Sequence, residues 1–239
     1  MIKRRVIISD IICLVAVILG FLVNGKIRTF GLPCVIDYVK SFMTPTRFVP
    51  FALFPFIVTM ALDGAYLDGY HSFIRNKSYD EVYSRYIGYF VVRIAIIIIS
   101  LFVGAAFICR NKELFNWNVA NSYFVFKTNG MTYENGAVIV ALMVVLIFIR
   151  LFTATLLYIM FKIYRCEIYY FMGFAAISIS EIPFRNIMIY NNLLDFDYYY
   201  FENTYNFTRT FAGMLVYLII CFVSIIAIYQ NKNYRWSGL

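Results

Sequence analysis

Residues 88–109 read GYFVVRIAIIIISLFVGAAFIC, with Arg93 the single charge and an isoleucine-rich run over 94–100. An amphipathic surface helix keeps one polar face, whereas this stretch is apolar on every side. About 20 such residues, at about 1.5 Å rise each, cross the roughly 30 Å hydrocarbon layer of a bilayer. The segment therefore reads as a membrane span, and the rest of the chain is read by the same measure.

Working outward, comparable segments lie at about 6–23, 48–67, 137–161, 168–182 and 211–229, giving six spans in one transmembrane domain covering residues 1–239. The first follows Lys3, Arg4 and Arg5. Its length, and the absence of a small-x-small site at Asn24-Gly25-Lys26, read as an uncleaved span and not a signal peptide. Pro50 and Pro55 lie in the first half of the second span, which predicts a kink or a late helix start. That span fades after Leu62, at Asp63. The fifth stops before Pro183, at about 15 residues, short of a full crossing.

Composition agrees. Of 239 residues, 62% are hydrophobic and 14% charged, against about 45–50% and about 25% in soluble domains. Disorder is excluded by the same hydrophobicity. The net charge of +8 is spread along the chain, not gathered into a basic stripe, so nucleic acid is not an expected partner and membrane lipid is. The five cysteines form no C-x-x-C pair, and His71 is the single histidine, which argues for packing cysteines and against a metal site. Basic residues at the start of span one, between spans two and three (Arg75, Lys77, Arg85), between four and five (Lys162, Arg165) and after six (Lys232, Arg235) lie in short segments. The longer loops 24–47, 110–135 and 183–209 also hold nine, so it is density near span ends and the N-terminal cluster, not the raw count, that favours cytoplasmic termini.

Four ionisable residues lie in or near spans: Asp10, Asp63, Arg93 and Arg150. A charge at mid-span costs about 2.5–3.5 kcal/mol on insertion scales. Arg150, the most central, faces a cavity or partner, or pairs with a carboxylate such as Asp10 or Asp63. Arg93 is expected to snorkel to the nearby cytoplasmic end. Glu181 and Arg185 have the four-residue spacing of a helical pair, with Pro183 bending the chain between them. The aromatic, amide-rich residues 186–207 read as re-entrant or interfacial helices between spans five and six. Asp195 and Asp197 form a D-x-D pair, a weak metal signal without further ligands.

Residues 71–85, HSFIRNKSYDEVYSR, are the most informative soluble piece. Ser78 and Glu81 have capping-box spacing at a helix start that runs through Tyr83 into span three. Phe73 and Ile74, beside Arg75 and Lys77, form a short amphipathic element at the membrane surface. It is either a simple elbow or a docking site for a cytoplasmic partner. No P-loop, H-E-x-x-H or G-x-S-x-G motif is present.

This arrangement resembles the membrane subunit of a bacterial ABC transporter of the type-2 exporter superfamily, the permeases of bacteriocin, antimicrobial-peptide and drug export or immunity. The likeness covers nearly the whole chain as topology. Locally it rests on the Ser84-Arg85 elbow before the isoleucine-rich span and on the short fifth span before an aromatic segment. One departure is the lack of an amphipathic helix before span one, where only residues 1–5 precede it. The resemblance implies a permease in the bacterial cytoplasmic membrane for hydrophobic or amphipathic substrates, with no catalytic residue and no cofactor of its own. A separate ABC ATPase would carry ATP and Mg, and a second membrane subunit, identical or different, would complete the pathway. By that likeness His71, Phe73, Ile74, Arg75, Lys77, Ser78, Glu81, Tyr83 and Arg85 form the coupling segment, and residues 162–167 a lesser contact. Asp10, Asp63, Arg150, Glu181 and Arg185 are the intramembrane or pathway candidates. Two other readings stand beside it: a non-transport scaffold or immunity protein, and an enzyme acting on lipid-linked substrates through Asp195, Asp197 and Glu202.

Overall fold

The computed structural model describes residues 2–24, 31–73, 79–110, 112–164, 166–181 and 204–236. Among them the regular elements are helices, with one isolated β-bridge between Leu32 and Ser122. In order they are α1 (Ile2–Asn24), α2 (Val35–Met43), α3 (Pro45–Phe48), a π turn (Val49–Leu53), α4 (Phe54–Phe73), α5 (Tyr79–Ile108), α6 (Tyr123–Lys127), α7 (Gly136–Ile163), α8 (Glu167–Glu181) and α9 (Thr204–Trp236). Four stretches are long and apolar enough to cross a membrane: Pro45–Asp63, Ile87–Ile108, Gly136–Lys162 and Phe211–Ile228. The apolar parts of α1 and α8, Ile7–Val23 and Glu167–Ile177, are shorter.

The prolines act where the sequence places them. Pro50 lies inside the π turn and Pro55 just after it, so backbone donors are missing four residues before Phe54 and one residue after it. The Phe54 N–H reaches back five residues to the Val49 carbonyl, the widened turn that π geometry provides. The apolar stretch ends at Asp63, where the sequence places its end, while helix α4 itself continues to Phe73.

Side-chain contacts fix the helix directions. Ser9 meets Asp63, Cys13 meets Thr59, and Gly20 lies against Phe51, so α1 and α4 run antiparallel. Asp10 meets Arg93 and Phe21 lies on Gly104, so α1 and α5 run parallel in one register. The Phe90 and Tyr158 rings, 6.3 Å apart, bring the C-terminal half of α7 to the same end as the start of α5. That end also holds the first turn of α1, the last turn of α4 and the first turn of α5.

Helix α7 is the axis, packed against α5, α8 and α9 and buried on several sides at Leu146, Ile147, Arg150, Leu151 and Ala154. In contrast, α1 and α9 each bury one stripe. In α1 it is Ser9, Cys13, Val17 and Phe21; in α9 it is Tyr217, Cys221 and Ser224, with Cys221 Sγ 3.2 Å from Thr153 Oγ1. Ile8, Ile11 and Leu22 on α1, and Leu218, Ile219 and Phe222 on α9, lie outward and exposed. Apolar surface on this scale is unsustainable in water. The chain is a membrane-embedded helical bundle.

The opposite end carries a small cap built from residues 31–43 and 112–133, in segments too polar to span a membrane. The Leu32 N–H donates to the Asn121 carbonyl and the Tyr123 N–H to the Leu32 carbonyl. Asn116 Nδ2 donates to that Leu32 carbonyl as well. Trp117, fully buried, stacks on Phe124 with centroids 4.2 Å apart. Helix α2 is buried along most of its length beneath these residues. Local polarity suggested loops, but long-range apolar burial organises them.

Candidate functional site

The stripe that α1 turns inward carries Ser9 and Asp10, and it meets Asp63 of α4 and Arg93 of α5. Arg93 Nε donates to Asp10 Oδ1 at 2.8 Å, and Nη1 lies 2.6 Å from Asp63 Oδ2. Ser9 Oγ donates to Asp63 Oδ1 at 3.0 Å. One turn along, Cys13 Sγ is 3.5 Å from Thr59 Oγ1, which donates to the Phe56 carbonyl. The Phe90 ring lies under the guanidinium, 5.9 Å from centroid to Cζ.

Arg93 is completely buried and Asp63 nearly so, while the Asp10 side chain keeps 25% of its surface. An unpaired guanidinium here would carry a desolvation cost of several kcal/mol, and the two carboxylates offset it. Arg93 therefore does not snorkel, as its place near a helix end suggested. The parallel register with α1 puts an acceptor within reach inside the bundle, and extension to the surface gains nothing. Two carboxylates against one guanidinium leave a formal charge of −1. Chemically the cluster can hold three helices in register and present a carboxylate oxygen of Asp10 to a cationic group.

Arg150 occupies a different place. Completely buried on α7, it donates from Nη1 to the Met43 carbonyl at 3.1 Å, and its guanidinium lies 5.1 Å from the Phe48 ring centroid. Met43 is the last residue of α2, so the cation sits at a helix C-terminus, where the backbone dipole favours it. Pairing with Asp10 or Asp63 is overturned: those carboxylates face α5 and are taken by Arg93, whereas Arg150 faces the α2–α3 turn.

Of the coupling candidates, His71 and Phe73 fall in the last turn of α4, and Glu81, Tyr83 and Arg85 in the first turns of α5. Ile74, Arg75, Lys77 and Ser78 lie outside the described residues, so the Ser78–Glu81 capping box does too. Glu181 is the last residue of α8. Arg185, Asp195, Asp197 and the segment read as re-entrant helices lie outside the described residues up to Thr204, where α9 begins. Among the described residues no group of three or more His, Cys, Asp or Glu is placed to hold a metal ion.

Two features escaped the sequence reading. One is the role of Arg93, although polar or small residues at 9, 10, 13 and 20 of α1 already marked a helix face for a polar neighbour. The other is the buried Asp37 of α2, whose Oδ1 accepts from Trp117 Nε1 at 2.9 Å and whose Oδ2 accepts from the Cys34 N–H at 2.8 Å. Compared with known proteins, the chain matches no family model, no curated protein and no solved structure.

Proposed function

We propose that the chain is the membrane-spanning permease subunit of an ATP-driven exporter for hydrophobic or amphipathic substrates, energised by a separate ABC ATPase. In this reading α1 and α8 complete six crossings, both termini are cytoplasmic, and the membrane is the bacterial cytoplasmic membrane. Helix α1, 23 residues long, is about 34 Å at 1.5 Å per residue, enough to cross with Lys3, Arg4 and Arg5 in the headgroups. A second membrane subunit, identical or related, completes the pathway.

The observation that carries this reading is that basic positions flanking several membrane-length helices meet at one end of the bundle. The start of α1, the start of α5 and the end of α7 share that end, and among the described residues they hold Lys3, Arg4, Arg5, Arg85 and Lys162. Lys40, Arg47, Lys112 and Lys127 lie at the other end, so it is the density of positive charge close to the helix ends that favours this side as the cytoplasmic one. In the sequence, Phe73, Ile74 and Tyr83 stand among basic residues as apolar anchors for a soluble partner.

The experiment is purification of the tagged chain from its native membranes in mild detergent, with mass spectrometry of what stays bound. A stoichiometric P-loop ATPase, lost on changing Phe73→Asp and Ile74→Asp, is the expected result. A preparation free of ATPase would sink the reading and leave the scaffold or immunity alternative, in which the exposed faces of α1 and α9 bind another membrane protein.

A further inference from the structure

The Asp10–Arg93–Asp63 cluster is charge-unbalanced and open on one side only. Asp63 and Arg93 are sealed among α1, α4 and α5, whereas Asp10 keeps a quarter of its side-chain surface. Arg93 Nη2, on the same planar group whose other nitrogens hold the two carboxylates, is buried without a hydrogen-bond partner among the described residues. Among the described residues two carboxylates therefore meet one guanidinium, and the side of the cluster that stays open is that of Asp10. Tyr89, half-buried, stands one turn before Arg93 on the same face of α5.

A carboxylate with residual negative charge, beside an aromatic ring in an apolar wall, is the chemistry that recognises organic cations. The carboxylate supplies charge and the ring face supplies a cation–π contact, together excluding water. An inorganic ion would need several more oxygen ligands than Asp10 presents. An anion would meet net repulsion.

We propose that the open Asp10 side of the Asp10–Arg93–Asp63 cluster, with Tyr89, binds a hydrophobic organic monocation of the ammonium or phosphonium class. The natural cation is carried either by a free amphiphile or by an ethanolamine lipid headgroup, since both present the same group. This deepens the exporter reading by naming a substrate class, but binding needs no ATPase. Failure here would leave the co-purification result standing, and failure there would leave this site standing.

The test uses the full chain in nanodiscs of digalactosyldiacylglycerol, a lipid without an amine, with tetraphenylphosphonium as probe and tetraphenylborate as its matched anion. Saturable binding of the cation and none of the anion is expected. Asp10→Asn, which keeps an acceptor for Arg93 Nε, should weaken binding at least about tenfold, a change of about 1.4 kcal/mol. Tyr89→Ala should weaken it several-fold and Tyr89→Phe should preserve it. No saturable binding, or equal binding by wild type and Asp10→Asn, would overturn the proposal. Should Asp10→Asn fail to fold, unchanged affinity in Tyr89→Ala would do so alone. Discs containing phosphatidylethanolamine separate the sources: weakened probe binding assigns the site to the lipid amine, and unchanged binding assigns it to a free amphiphile.

Discussion

The indole of Trp117 donates to Asp37 Oδ1 at 2.9 Å, joining positions 80 residues apart into the floor of the cap. The same carboxylate accepts the Cys34 N–H at the start of α2, so one buried group ties helix entry to the 110–135 segment. Trp117→Phe keeps the stack on Phe124 but removes the donor, which should cost about 1–3 kcal/mol for a buried acceptor deprived of a partner. Limited proteolysis within 110–135, compared between Trp117→Phe and wild type in detergent, reads this directly. Equal cleavage rates would show that the bond contributes nothing to cap stability.

Removing Arg93 should be more damaging than removing either carboxylate. Arg93→Met leaves Asp10 and Asp63 facing each other in an apolar setting, and breaking a buried ion pair in this way costs about 3–5 kcal/mol. The triple variant Arg93→Met, Asp10→Asn, Asp63→Asn removes all three charges and should recover most of that loss. Thermal unfolding in one detergent compares the two. A triple variant no more stable than Arg93→Met would mean that the cluster acts through shape and not charge.

How much of this was visible in the sequence follows from the range of the forces involved. The apolar runs over 88–109, 137–161 and 211–229 are local properties, and the corresponding helices stand close to where hydropathy put them. Pro50 and Pro55 act on their own backbone, so the altered helix entry was legible too. Arg93 was not, because its partners lie 83 residues earlier and 30 residues earlier, and a charge near a helix end looks the same whether it snorkels or pairs. The cap was missed for a related reason. Residues 31–43 and 110–135 are too mixed in polarity to announce a core, and Trp117 is buried only because α2 and Phe124 come from elsewhere to cover it.

Gly20 and Gly88 make a matched pair with opposite expected signs. A Cβ on Gly20 would lie 2.7 Å from Phe51 Cβ and from Phe42 Cε2. Phe51 Cβ cannot swing aside without its backbone, so Gly20→Ala must push α1 off the π turn at a cost of about 1–3 kcal/mol. Gly88 has open space around its Cβ position, and Gly88→Ala should gain about 0.5–1 kcal/mol from backbone entropy alone. Unfolding midpoints of the two variants should move in opposite directions. A stabilising Gly20→Ala would contradict the close approach of α1 to Phe51.

Cys34, where α2 begins, gives the pH dependence. Burial, with the Asp37 carboxylate adding to it, pushes the Cys34 thiol up to about 12, from an ordinary value of 9.0. The folded state holds this proton more tightly than the unfolded one. The contribution is complete below about pH 9 and is lost as pH rises towards about 12. At pH 8 the thiol is neutral and covered, so iodoacetamide should leave Cys34 unmodified while the half-buried Cys166 reacts. Mass spectrometry after alkylation in detergent at pH 8 distinguishes them. Trp117→Phe, by loosening the cap, should raise Cys34 labelling and leave Cys166 unchanged. Rapid labelling of Cys34 in the wild type would mean that α2 is not sealed by Asp37 and Trp117.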